Sequence, residues 1–588
     1  MRLGWTTNKN STTYRAIKTI RVDGKNKTIT VRSFGSDKAI CEKYGVTDAR
    51  AWAKDQVQKM TKSEKEEAAT YSVDLCAGTD LEMDQQRRYN GGYLFLQDIY
   101  YELGMHKICR AIAARHHFKY DLNNLFSRLI YTRILFPSSK KSSFEDSRRF
   151  IEKPTFELHD IYRALSVIAE ESDYIQQRLF KNSTDIAERK TGVIYYDCTN
   201  YYFEIEQAEE DKQYGVSKEN RPLPIVEMGL FMDMEGIPIA FGISPGNTNE
   251  QTTLIPLEKK LVKKFDMSKF VVCTDAGLSS GTNRWFNNYN GVSGTRSFIT
   301  TQSLKNLKDH LKEWALSPTG WSLAGSHKQQ DIDLRRLDEE RDRDKIFVKS
   351  RWIKEKTRVT VNGKTGYVDL EQQLIVTYSI KYRDYQRSIR NGQIERARKL
   401  ISRGQQEVGR KRQNDPKRFI TTNHATPDGE AATSAVSFIN EDTIVREEQY
   451  DGFYAVCTNL EDDPEKIAEF NKRRWQIEAC FRIMKSDFRA RPVFVKRKER
   501  ILAHFITCFV ALIVYRYLEK KLGEKYTIDQ IIAALKEMDF IKYEGKGYQP
   551  VYTRTELTDD LHDAFGFCTS KQIIPTKKMK NICSQTKK

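Results

Sequence analysis

Apolar and polar positions change period repeatedly along this chain. Near the N-terminus, "YRAIKTIRV" and "KTITVRSFG" alternate residue by residue on either side of "DGKN", which predicts a β-hairpin within residues 1–40. From about Glu42 to Lys190 the spacing lengthens to that of helices, as in "NLFSRLIYTRILF" and "DIYRALSVIAEESDYIQQRLF". From Thr191 the period shortens again. "GVIYYDCT" reads as a strand, and "IVEMGLFMD" and "IPIAFGIS" as a hairpin about the turn "DMEG". An amphipathic helix, "NEQTTLIPLEKKLVKKF", and a short apolar strand, "KFVVCTDAG", follow.

Three strands, a helix and a strand form the opening order of an RNase H-like α/β fold, with antiparallel strands at one side. From Thr301 to Gln449 the pattern breaks into β-like pieces ("IFVKSRWI", "TRVTVNG", "QQLIVTYSI") and a charged helix, "DYQRSIRNGQIERARKLISRG". A strand pattern resumes at "YDGFYAVCTNL". One long helix is then expected over "DPEKIAEFNKRRWQIEACFRIMKSDF", with Asp463 as N-cap and Pro464 at its first position. The predicted organisation is a basic hairpin region (1–40), a mainly helical region for DNA binding or dimerisation (41–190), the first part of the core (191–300), a β-rich insertion with a basic helix (301–449), the second part of the core (450–522) and a C-terminal region (523–588).

Charge narrows the partners. Lys and Arg outnumber Asp and Glu by 98 to 80, a net +18 that favours a polyanion, nucleic acid before membrane. Between Lys381 and Arg418 thirteen basic residues face four acidic ones, a balance suited to phosphates. The ten cysteines show no metal-ligand spacing and read as reduced thiols of a cytoplasmic protein. The apolar run "ILAHFITCFVALIVY" is shorter than the ~20 residues of a membrane span and holds His504, so it reads as a core helix with a satisfied histidine. No Walker-type phosphate loop is present.

Three acids stand out by context. Asp197 interrupts an apolar strand, where an unpaired carboxylate is costly. Asp275 ends a later strand, and Glu478 sits on a helix in "RRWQIEACFRIMK". Neighbouring strands would bring the first two together, and a crossing helix would deliver the third. Converging carboxylates repel unless cations bridge them, and two Mg²⁺ or Mn²⁺ ions suit an all-oxygen set that handles phosphodiesters. Arg474, Glu478, Arg482 and Lys485 are spaced by four, four and three, along one face of the expected helix, with Trp475, Ile477, Ala479, Phe481 and Met484 as apolar surface around it. Surface decoration by an i,i+4 Arg–Glu pair is the plainer reading of that spacing alone. Glu204 and Glu206 read as a charged strand edge.

Taken in order, these segments resemble the bacterial insertion-sequence DDE transposases, more narrowly the IS-four superfamily and its IS-sixteen-thirty-four-like branch. The resemblance rests on "YYDCT", "PGNTNE" (Pro245 to Glu250), "VCTDAGL", and a Tyr-x2-Arg-x3-Glu-x6-Lys signature met by Arg474, Glu478 and Lys485. Asn471 stands at the Tyr position, so whatever contact that Tyr makes, with DNA by expectation, is not carried over. The resemblance covers roughly Thr191 to Gly523.

It implies cut-and-paste excision and integration of the element by two-metal hydrolysis and strand transfer. Asp197, Asp275 and Glu478 would be the catalytic metal ligands, and Arg474, Arg482 and Lys485 would meet DNA. It also implies a homodimer in a synaptic complex with terminal inverted repeats and target DNA, and a bacterial, nucleoid-associated location. A β-rich insertion between the second and third acids is expected, and Trp321 and Trp352 within it are candidates to stack on a flipped base, against burial in the insertion's core as the plainer reading. An RNase H-like nuclease without strand transfer and a non-catalytic DNA-binding repressor are the competing functions.

Overall fold

The computed structural model describes residues 1–588 apart from 10, 23–24, 68–69, 74–76, 79, 289–295, 327–330, 362, 404–414 and 426–430. The turn expected at Asp23-Gly24 and the basic residues Arg410, Lys411 and Arg412 therefore lie outside the described residues. The chain forms two compact units, one of residues 1–85 with 543–548, the other of residues 86–542 with 549–588.

In the first unit the expected hairpin, Ser11–Val22 with Lys25–Ser36, gains a third antiparallel strand, Arg2–Asn8. A two-stranded ribbon has nothing to cover its apolar face. Here the helices Asp37–Tyr44 and Ala49–Glu67 cover it, burying Tyr14, Ile40, Ala49 and Ala53 with Phe34 and Trp52 packed against them. The unit runs to residue 85 for this reason and does not end near residue 40.

The second unit is built on one mixed sheet. Its central strands are β1 (Val193–Tyr202), β2 (Ile225–Met232), β3 (Pro238–Pro245), β4 (Phe270–Thr274) and β5 (Arg296–Gln302). β6 (Phe347–Val361), β7 (Lys364–Tyr378) and β8 (Phe453–Thr458) extend it. The spatial order is Ser322–Leu323, β6, β7, β8, β5, β4, β1, β2, β3. β1, β4 and β5 run parallel, while β2 and β3 are antiparallel to their neighbours. The expected order of three strands, helix and strand is present, with α1 (Leu254–Lys264) as the helix. Part of the expected insertion, Ile420–Ala425 with Ala431–Ile439, forms a two-stranded sheet of its own, and part joins the central sheet. β8 pairs with both β7 and β5, so the long β6–β7 hairpin continues the central sheet.

Both faces of β1 are covered, and its burial is broken only at Asp197. Ile194, Tyr196 and Cys198 pack with Leu254, Leu257 and Leu261 of α1. On the other face the Tyr195 hydroxyl donates to the Phe470 carbonyl at 2.9 Å. That carbonyl belongs to α2 (Pro464–Lys472), which Asp463 caps through the Glu465 amide. The single long helix expected here is divided. α2 stops before Arg473, α3 (Trp475–Arg482) starts afresh with Arg474 as N-cap, and a widened π-turn spans Ile483–Asp487. The apolar run near residue 510 is the helix α4 (Lys498–Lys521), buried almost throughout and packed against Leu122–Leu135 and Leu158–Glu170.

Candidate active site

Parallel pairing sets the first contact. Val193, Ile194 and Tyr195 of β1 pair with Val271, Val272 and Cys273 of β4. The same offset carried two residues further sets Asp197 beside Asp275, just past the end of β4. Asp275 fixes its own loop by accepting the Leu278 amide at 2.9 Å, while Asp197 accepts the Cys198 amide at 2.7 Å. Burial pushes Asp197 up to about 6; the Lys218 ammonium opposes this and the Asp275 carboxylate reinforces it.

Arg474 joins the third acid to the pair. Its Nη1 lies 3.8 Å from Asp197 Oδ2 and 3.2 Å from Glu478 Oε1. The helix break brings this about, because Arg474 stands at the N-cap of α3 and Glu478 in its first turn. Glu478 is 58% exposed and Asp197 only 13%, so the guanidinium bridges a solvent-facing acid to a sheltered one. Among the described residues no three acids form a ready cation cluster. The donors are nonetheless all hard oxygens, and Asp197 is sheltered with the Asp275 carboxylate beside it, which is the chemistry a divalent ion fits. Mg²⁺ or Mn²⁺ would be held by Asp197, Asp275 and Glu478.

The expected single face of Arg474, Glu478, Arg482 and Lys485 does not survive the π-turn. Arg482 points to solvent near Asp487, at 3.9 Å. Lys485 swings inward, 3.5 Å from Glu219 and 5.6 Å from the Tyr201 ring centre. Burial, with Lys218 nearby, lowers Lys485 to about 8 although Asp197 favours its charge. Asn471 is buried: its amide donates to Tyr454 Oη at 2.5 Å and Thr301 Oγ1 at 3.3 Å, tying α2 to β8 and β5.

Lys218, next to Asp197, and the two glutamates around it, Glu250 and Glu227, are not among the candidates. Lys218 donates to the Cys198 carbonyl and pairs with Glu250 of "PGNTNE" at 2.9 Å. Burial opposes its charge, but Asp197 and Glu250 outweigh that and raise its pKa. On β2, burial and the adjacent Glu250 push Glu227 up to about 8. These three residues line a cavity of about 650 Å³ that reaches Gly277, two residues beyond Asp275.

The tryptophans divide. Trp321 is fully buried with Phe347, Leu374 and Tyr378, and its indole N–H donates to the Ser317 carbonyl at 2.9 Å. It has no free face, so the DNA-stacking assignment is corrected to a core role. Trp352 on β6 is 42% exposed. Trp475, expected to supply packing surface, is instead 61% exposed beside Arg474. His504 is a satisfied core residue, with its Nε2 3.0 Å from the Ala490 carbonyl. Glu204 and Glu206 lie beyond the end of β1, exposed.

The family model described as Transposase DDE domain matches residues 183–514. That span contains Asp197, Asp275 and Glu478. No curated protein matches the chain. Among solved structures, a piggyBac transposase synaptic complex with hairpin DNA aligns at 9% identity over 84% of this chain and 84% of that one, with a TM-score of 0.34. A Mos1 transposase paired-end complex with left transposon end aligns at 12% identity over 42% of this chain and 66% of that one, with a TM-score of 0.12.

Proposed function

Because this chain belongs to the Transposase DDE domain family, we propose that it is a DNA transposase with an RNase H-like core, of the insertion-sequence, IS-four-like kind, working by cut-and-paste. One observation supports the site: the parallel pairing of β1 with β4 ends at Tyr195 and Cys273, each two residues before an aspartate, and Arg474 ties Asp197 to Glu478. When bound, two Mg²⁺ or Mn²⁺ ions would supply activation of a water or a 3′-hydroxyl and stabilisation of the leaving oxygen.

The chain's own residues hold and orient. Strand β1 holds Asp197, and the Leu278 amide holds Asp275 just beyond β4, as a site that must not drift requires. Lys218 offsets the charge of Asp197. Arg474 and Arg482 offer guanidiniums to phosphates near the scissile bond, and Lys485 adds a positive charge behind them. Trp475 and Trp352 present flat faces on which an unpaired base would stack. Partners in this reading are double-stranded DNA, as terminal inverted repeats and target, and a second copy of the chain that joins two ends. The setting is the bacterial cytoplasm, at the nucleoid.

The test supplies pre-cut element ends, target plasmid and Mg²⁺ to the purified protein. Joined product is expected from the wild type and from neither Asp197→Asn nor Glu478→Gln. Cleavage without joining would make the protein a nuclease. DNA binding with neither reaction would leave a repressor.

A further inference from the structure

Away from the aspartate pair, a second cavity of about 380 Å³ lies between the helix Lys140–Ser147 and the segment that leads into α4. Arg133, Lys140, Arg489 and Arg500 line it together with Tyr162 and His504, and no acidic residue does. Lys140 is only 6% exposed, yet its Nζ has no hydrogen-bond partner. The Nε atoms of Arg133 and Arg500 are also buried without one.

These groups are held in place. Arg133 donates from its two terminal nitrogens to the Phe488 and Ser138 carbonyls, at 3.2 and 3.1 Å. The Arg500 guanidinium lies 5.2 Å from the Tyr162 ring centre. Arg500 sits in the first turn of α4, whose N-cap Arg497 supplies no capping side chain, so free amides add positive potential. Burial, with Arg133 and Lys140 alongside, lowers the His504 pKa well below its ordinary value and keeps the ring neutral. A buried ammonium with no partner is strongly unfavourable, and so is the approach of the Arg133 guanidinium to it. An anion that enters removes both costs.

We propose that this cavity is a binding site for a phosphate group, seated between Lys140 and Arg500. Rigid guanidinium forks with one ammonium form the usual phosphate-recognising set. Two sources share this chemistry, a phosphodiester of a DNA backbone and free inorganic phosphate.

The full-length protein tests it. Thermal unfolding is followed as inorganic phosphate replaces chloride at matched ionic strength. In parallel, the affinity for a DNA duplex is measured across a salt series. In the wild type phosphate should raise Tm saturably. In Lys140→Met and in Arg500→Gln that rise should be lost. If the salt dependence of log K for DNA also flattens by about one in the variants, the occupant is a backbone phosphate. An unchanged slope with the phosphate response lost identifies free phosphate. A wild type that responds to phosphate no more than to chloride, or variants that keep the whole response, would overturn the site. Arg500→Gln, on the half-buried rim, carries the test alone should Lys140→Met fail to fold.

Discussion

Lys140 puts an ammonium into the protein interior, and burial with Arg133 beside it lowers its pKa to about 7. For a base with a depressed folded pKa, the stability contribution is full above the ordinary lysine value and is lost as pH falls through the folded value. In phosphate-free buffer, Lys140→Met should therefore be more stable than wild type. The gap should widen from about pH 10 down to pH 7, to roughly 3–5 kcal/mol, and stay constant below; urea unfolding at several pH values reads it. The tryptophans give a second contrast. Trp321→Ala should cost about 3–5 kcal/mol of folding stability. Trp475→Ala should leave stability within about 0.5 kcal/mol but weaken single-strand binding by about 1–3 kcal/mol, measured by fluorescence anisotropy. Asp197 was legible because a carboxylate stood in an apolar strand. Glu227, in "IVEMGLFMD", is likewise a carboxylate in an apolar strand, but it lies in no motif that marks it out. Lys218 lies in an aperiodic loop, where only three-dimensional closure brings it to the Cys198 carbonyl.

At the scale of elements, strands were easier to read than helix ends. The two faces of β1 follow directly from its alternation. The division between α2 and α3 has no Gly or Pro to announce it, since "NKRRWQ" continues the helical period. Tertiary placement decides it: the restart lets Arg474 reach Asp197 and Glu478 together. Close packing under β1 makes β2 sensitive at Gly229, where a Cβ would stand 2.2 Å from the Tyr196 hydroxyl. That hydroxyl bonds Thr253 Oγ1 at 2.7 Å and has little room to retreat. Gly229→Ala should destabilise by about 1–3 kcal/mol in denaturant titration. In α4, Phe509 is fully buried 5.1 Å from the ring of Phe241, and Phe509→Ala should cost about 3–5 kcal/mol by the same measurement.

For the whole molecule, the net charge of +18 predicts DNA binding dominated by released counterions. Affinity for a random duplex should fall by on the order of 10³-fold between 50 and 200 mM salt, and a flat salt response would contradict the DNA reading. The divisions placed near residues 190, 300, 449 and 522 by changes of texture fall inside one compact unit, because texture reports local period and not which strands share a sheet. β8 is the clearest case, and it also imposes a timetable on synthesis. It emerges about 150 residues after β5, the edge on which it must close, and Glu478 comes later still, beyond α2. Sheet closure across such a sequence distance is slow. A chain still on the ribosome thus carries both aspartates for a long interval without the third acid, and premature termination anywhere in the insertion yields a product that lacks it altogether. The insertion separates in time the making of the first two acids from that of the last.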